Sequence, residues 1–203
     1  MQNYQIFVEG ETEERLLKEL KVIGKIKKIN LWDKDISKLL RTFKPNTAIF
    51  VIYDTDAMQS DTNIARFNAN LAILKRHKYL AGILQQTKNF EDELVYSCHQ
   101  FRTVKDLFNA FNAVNADEFK TKFLKANNPL EILAKFGFDK YVLWQKPTNP
   151  NVLRAYHEKR VGIDKLPGRW VSVVTTVIYT YAMRWLLFII SAYCAEIRNI
   201  PKI

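Results

Sequence analysis

The chain has 203 residues, 48% of them hydrophobic and 26% charged, with a formal net charge of +10. That length carries one full domain, or a domain with a small extension, and the composition excludes a disordered chain. Two cysteines, Cys98 and Cys194, exclude a disulfide framework and a tetrahedral thiolate metal site, and they fit a reduced, cytoplasmic setting.

Tyr4 to Val8 is a short β-rich run that ends at Glu9-Gly10. Helix periodicity begins at Thr12 and runs to Leu20, with Leu16, Leu17 and Leu20 on one face. No apolar leader precedes it, so no secretory signal is expected. Residues 22–31 read as a helix end and a second strand, and Asp35 to Phe43 as a short helix broken by Pro45-Asn46. Thr47 to Tyr53 is the clearest buried strand. Its continuous apolar, β-branched run fits burial on both faces of a parallel sheet, and it ends in Asp54-Thr55-Asp56. Thr62 to His77 is an amphipathic helix carrying Ile64, Phe67, Leu71 and Leu74. Ala81 to Gln85 is a fourth strand, and Thr87 to Leu94 opens a further helix. This alternation predicts an α/β domain with a mostly parallel sheet flanked by helices over residues 1–100.

Residues 101–203 form a mostly helical extension that packs on it. Its core candidates are Phe111, Phe119, Phe123, Leu130, Leu133 and Phe136, with breaks at Pro147–Pro150 and Pro167-Gly168. Residues 170–195 are almost entirely apolar, and Arg184 is the only charge from Trp170 to Cys194. A core or dimer-interface helix is the preferred reading. A membrane span is the second, opposed by the charge near its middle, and a non-native C-terminus is the third.

Ligands of open α/β sheets bind beyond the carboxyl ends of the strands. Glu9 follows the first strand there, and Asp54 and Asp56 follow the most buried one. In extended backbone, residues two apart point the same way, so both aspartates can face one ligand. Glu13, four residues after Glu9, can extend the cluster. Crowded carboxylates repel, and a hard cation relieves them; oxygen-only ligation favours Mg²⁺ or Mn²⁺. The plainer alternatives are caps and turns for the aspartates and a first-turn helix acid for Glu13. His77, His99 and His157 lack metal-ligand spacing, and Cys98 reads as a small core residue. Lysine clusters at Lys25/Lys27/Lys28, Lys75/Arg76/Lys78 and Lys120/Lys122/Lys125 fit nucleic-acid backbone binding, or simply solvated faces.

Val8-Glu9-Gly10-Glu11-Thr12-Glu13 resembles the glutamate motif of the TOPRIM domain, and Tyr53-Asp54-Thr55-Asp56 resembles its paired-aspartate motif. The Glu-Gly-x-Thr-Glu form is most similar to the OLD-type nucleases and small RloB-like proteins of bacterial antiphage defence. Thr87-Lys88 followed by Phe90-Glu91-Asp92-Glu93 is similar to a third feature of that branch, and the resemblance spans roughly residues 4–95. It implies a TOPRIM-like, Rossmann-like fold. It implies Glu9, Glu13, Asp54, Asp56 and Glu91 as metal-site residues, with Lys88 as a charge stabiliser at the phosphate. The implied activity is Mg²⁺- or Mn²⁺-dependent hydrolysis of phosphodiester bonds in DNA or RNA, tRNA included, by a toxic effector of abortive infection. The sequence has no Gly-x-x-x-x-Gly-Lys-Ser/Thr loop, so any ATPase would be a separate partner chain. The topoisomerase tyrosine region and the primase zinc ligands are also missing. The competing expectations are an inactive TOPRIM-fold module that binds nucleic acid or protein, and a membrane-attached effector.

Overall fold

A computed structural model describes residues 2–146 and 153–168. Four strands form one all-parallel sheet: β1 (Asn3–Val8), β2 (Lys25–Lys28), β3 (Thr47–Tyr53) and β4 (Leu80–Gln85), in the order β2-β1-β3-β4. Helices α1 (Glu11–Glu19), α2 (Asp61–Arg76) and α3 (Phe90–Ser97) follow β1, β3 and β4, while the short helix expected between β2 and β3 is a 3₁₀ turn at Ser37–Thr42. The expected α/β architecture with a parallel sheet is therefore present. Every residue of β3 is buried, as its unbroken apolar run requires of a central parallel strand.

Alternation along the strands sorts the core into two layers. Phe7, Ile49, Val51 and Tyr53 join Phe67, Leu71 and Leu74 of α2 in one cluster. Ile6, Val8, Phe50 and Ile52 are buried at the alternate positions, on the opposite face. Trp32, from the loop after β2, stacks on Phe67 with ring centroids 4.0 Å apart, and Tyr53 lies 5.0 Å from the same ring. The edge strand β2 carries Lys25, Lys27 and Lys28, a placement that discourages pairing with another chain. The other edge is partly covered, because Val161 N donates to Ile83 O at 3.0 Å.

The loop after β2 is held by one side chain. Asn70 of α2 is 2% exposed; its Oδ1 accepts from Ile36 N at 3.0 Å, and its Nδ2 donates to Leu31 O at 2.8 Å and Lys34 O at 2.7 Å. Asn70→Ala would leave these three backbone groups without their partner. The expected loss is about 2–3 kcal/mol in urea denaturation; a loss below about 0.5 kcal/mol would mean that the loop is held by other contacts.

The region after residue 100 is built from shorter pieces than the periodicity suggests: α4 (Val104–Ala110), α5 (Ala116–Lys125), α6 (Pro129–Ala134) and a 3₁₀ turn at Lys140–Val142. Each helix starts at a side-chain cap, on Thr103, Asn115 and Asn128 respectively. Of the expected core residues, Phe111, Phe119, Phe123 and Leu133 are buried, while Leu130 and Phe136 are only partly so. Residues on both sides of position 100 belong to one compact unit, Met1–Arg169. The apolar run 170–195 lies outside the described residues. Among the described residues no helix is long and apolar enough to cross a membrane.

Candidate functional site

The strand order places β1 and β3 side by side, with the chain turning to β2 on one flank and to β4 on the other. The crevice between the carboxyl ends of β1 and β3 is thus the switch point where open parallel sheets bind ligands. Glu9 and Asp54 are the first residues past those two ends. A cavity of about 600 Å³ opens there, lined by Glu9, Glu13, Asp54, Asp56 and Glu91 among others. Five of the six predicted site residues therefore share one cavity.

Each carboxylate is held by its own donors. Glu9 Oε1 accepts from Trp32 Nε1 at 2.8 Å and from Asp54 N at 3.0 Å, and Asn30 Nδ2 makes a long 3.5 Å contact with Oε2. Glu13 is 3% exposed and accepts from Gln86 Nε2 at 3.0 Å and Thr12 Oγ1 at 3.1 Å. Gly10 makes room for it: a Cβ at that position would stand 2.8 Å from Glu13 Oε2. Gly10 is extended (φ −129°), so this close approach, rather than backbone strain, favours glycine there. Glu13 enters the cavity from the first turn of α1 while Glu9 sits before the helix, so the two do not meet as helical neighbours four apart.

The aspartate pair departs from the extended geometry expected of it. Thr55 is in the right-handed helical region, and Asp56 opens a 3₁₀ turn and is exposed. The cause is distant in sequence: Lys88 O accepts from Thr55 N at 2.8 Å and Asp56 N at 3.3 Å, which turns the chain directly after Asp54. Lys88 thus takes part through its carbonyl. Its side chain is exposed and is not among those lining the cavity.

Burial and crowding dominate the electrostatics. Burial pushes the Glu9 carboxyl up to about 7; its hydrogen bonds from Asp54 N and Trp32 pull it back, and the charges of Glu13 and Asp56 push it further. Asp54 is pushed up to about 9, first by burial and then by Glu9, Glu13, Asp56 and Glu91. Asp54 Oδ1 is buried with no hydrogen-bond partner, and so is Glu91 Oε1. The N-termini of α1 and α3 both border the cavity, so their positive dipole ends offset part of this charge.

This oxygen-only donor set, with an orphaned acceptor on Asp54 and mutual repulsion to relieve, fits a hard divalent cation. As they stand, however, no three acidic, histidine or cysteine side chains among the described residues come close enough to enclose an ion. Glu9 is instead hydrogen-bonded to Trp32, and Glu13 to Gln86 and Thr12.

Four participants were not identified from the sequence as site residues. Trp32 and Gln86 orient Glu9 and Glu13. Lys120 of α5 was visible only as one of a basic cluster, yet its Nζ stands 3.5 Å from Glu91 Oε1. Phe108 of α4 lines the same cavity. Other members of the basic clusters are used within the protein: Lys28 pairs with Glu11, Lys75 with Glu158 and Lys122 with Glu118. In comparisons with known proteins, no family model, no curated protein and no solved structure matches this chain.

Proposed function

We propose that the chain is a TOPRIM-like, divalent-metal-dependent nuclease that hydrolyses phosphodiester bonds of DNA or RNA. The carrying observation is Asp54: a partly buried carboxylate with a buried, orphaned oxygen, crowded by four other acids, at the switch point of a parallel sheet. Glu9, Glu13, Asp54, Asp56 and Glu91 would hold one or two Mg²⁺ or Mn²⁺ ions. Such ions supply a water activated at neutral pH and stabilise charge on the leaving oxygen. In the reaction a water oxygen forms a bond to phosphorus, one P–O ester bond breaks, and the released oxygen leaves with a proton.

The chain's own part is to bind and orient. The N-termini of α1 and α3 border the cavity, so their positive dipole ends would favour a phosphate there. Lys120 supplies a cation on the opposite wall, and Lys88 can supply one only by swinging in from the surface. The basic surface, part of a net charge of +10, would draw a polyanion to an acidic site that otherwise repels it. A role as a toxic effector in antiphage defence, alone or with a separate ATPase chain, is supported by the motif resemblance alone.

One observation favours a second reading. Because no three carboxylates enclose an ion as they stand, the fold also suits a non-catalytic module that binds nucleic acid or protein. Incubating the full chain with single-stranded and duplex DNA and RNA, with Mg²⁺, Mn²⁺ or EDTA, separates the two. The nuclease reading expects cleavage with either metal and none with EDTA. Binding without cleavage under every condition would leave the module, and cleavage unchanged in both Glu9→Gln and Asp54→Asn would move the site elsewhere.

A further inference from the structure

Metal and phosphate account for the floor of the cavity but not for its α4–α5 wall. Hydrated ions and phosphates gain nothing from apolar surface, yet Val104, Phe108 and Leu124 line this wall and are each only partly buried. Phe108 is not loose there. Its ring packs at 5.6 Å from the fully buried Phe119 ring, so the core fixes its orientation. Lys120 lies one helical turn before Leu124 on α5 and places an ammonium on the same wall. That ammonium is ion-paired at 3.5 Å with Oε1 of Glu91, a residue 5% exposed whose Oε1 has no hydrogen bond, so a charge is already drawn to this wall.

An aromatic ring, an aliphatic neighbour and a cation on one wall complement one chemical object: a nucleotide, with a flat base and an anionic phosphate. A cavity of about 600 Å³ holds a small molecule of that size. It does not admit a duplex, whose bases are stacked inward and whose outer surface is backbone. Base against ring and phosphate against lysine is also how proteins hold unpaired nucleotides without reading their sequence.

We infer that the α4–α5 wall is a nucleotide subsite. It takes one unpaired base against Phe108 and Leu124 with its phosphate at Lys120, which makes the substrate single-stranded nucleic acid, or an unpaired loop or end. The inference rests on reading the cavity as a nucleic-acid site, but not on cleavage.

The test is binding to the full chain carrying Asp54→Asn, in EDTA, so that no metal-dependent cleavage occurs. Fluorescence anisotropy with short labelled single strands of DNA and RNA, and blunt duplexes of the same sequences, reads affinity. Single strands are expected to bind at least about tenfold more tightly than duplexes. Phe108→Leu keeps an apolar side chain against Phe119 but has no ring face, and is expected to weaken single-strand binding about tenfold, while Phe108→Tyr restores it. Lys120→Gln is expected to weaken binding and lower the salt slope by about 0.7, while Lys120→Arg preserves both. Thermal melts confirm that each variant is folded. Duplex binding as tight as single-strand binding, no binding at all, or folded Phe108→Leu and Lys120→Gln proteins that bind like their parent would each overturn the subsite. Single-strand binding that follows this pattern in a protein that never cleaves would remove the nuclease and leave the subsite. Cleavage by a protein whose binding ignores Phe108 and Lys120 would do the reverse.

Discussion

Asp54→Asn is expected to stabilise the metal-free protein and, in the same molecule, to reduce divalent-dependent cleavage by about a thousandfold or more. Asp54 is pushed from its ordinary 3.8 up to about 9 by burial and by four neighbouring carboxylates. Between those values the folded chain holds a proton that the unfolded chain has lost, so stability falls as pH rises through the window. Below about 4 both states are protonated and the group costs nothing; above about 9 the whole cost is felt. Glu9, pushed from 4.5 up to about 7, adds a fall of the same sign at lower pH. Asparagine keeps the shape of the neutral acid and removes the Asp54 part of this slope. The gain near pH 8 is on the order of a few kcal/mol, less than the full shift at roughly 1.4 kcal/mol per unit, because crowded carboxylates share their protons.

A divalent cation should act in the opposite sense. It binds the deprotonated carboxylates, so it releases protons and stabilises more strongly as pH rises. At about a hundredfold excess over its dissociation constant the gain is about 2.7 kcal/mol, or roughly 5–10 °C in Tm for a chain of this size. Melts across pH with Mg²⁺, Mn²⁺ and EDTA read both effects. A wild-type Tm that no divalent ion moves at any pH would sink the metal assignment, even if Asp54→Asn still stabilises.

The part of this site that could be read from the sequence is the part fixed by strand ends. Tyr4–Val8 and Thr47–Tyr53 announce themselves by composition, and neighbouring parallel strands deliver Glu9 and Asp54 to the same edge of the sheet. Glu13 was legible for a similar reason, because it lies in the first turn of a helix that leaves that edge, whereas Glu91 was reached only through the motif resemblance. The backbone of Asp54-Thr55-Asp56 was not legible. Its turn is set by Lys88 O, more than thirty residues away, whereas local spacing favoured an extended segment. Lys120 and Phe108 were hidden more deeply. Periodicity marks Phe119 and Phe123 as core, but nothing local says that the adjoining stripe of α5, with Ala116, Lys120 and Leu124, closes a cavity made by β1 and β3. That follows from packing: Arg15 of α1 donates to Ala126 O at 2.9 Å just past the end of α5. Trp32 was obscured differently, because a lone aromatic in a polar loop carries no period that would point to Glu9.

The largest loss of stability is expected at Glu93, which shares the first turn of α3 with Glu91 but has a different task. It is 1% exposed. Its Oε2 accepts from Thr87 N at 2.7 Å and Thr87 Oγ1 at 2.8 Å, and its Oε1 accepts from Trp144 N. Burial pushes its carboxyl up, and these donors pull it partly back. One side chain thus ties the β4–α3 loop to a segment some fifty residues later, where Trp144 has a positive φ of 61°. Glu93→Ala removes every one of these acceptors and leaves the buried Trp144 N–H unpaired, so about 3–5 kcal/mol should be lost, or roughly 10 °C in Tm. Glu93→Gln keeps the volume but turns one acceptor into a donor, and should lose about 2 kcal/mol. Urea denaturation distinguishes these values, and an alanine variant that loses less than about 1 kcal/mol would mean that the tie is redundant. Because Glu93 does not line the cavity, single-strand affinity measured well below Tm should stay within about twofold of the parent. A large loss of affinity in a folded Glu93→Gln protein would instead show that this tie sets the position of Glu91, and that the α3 turn acts as one unit.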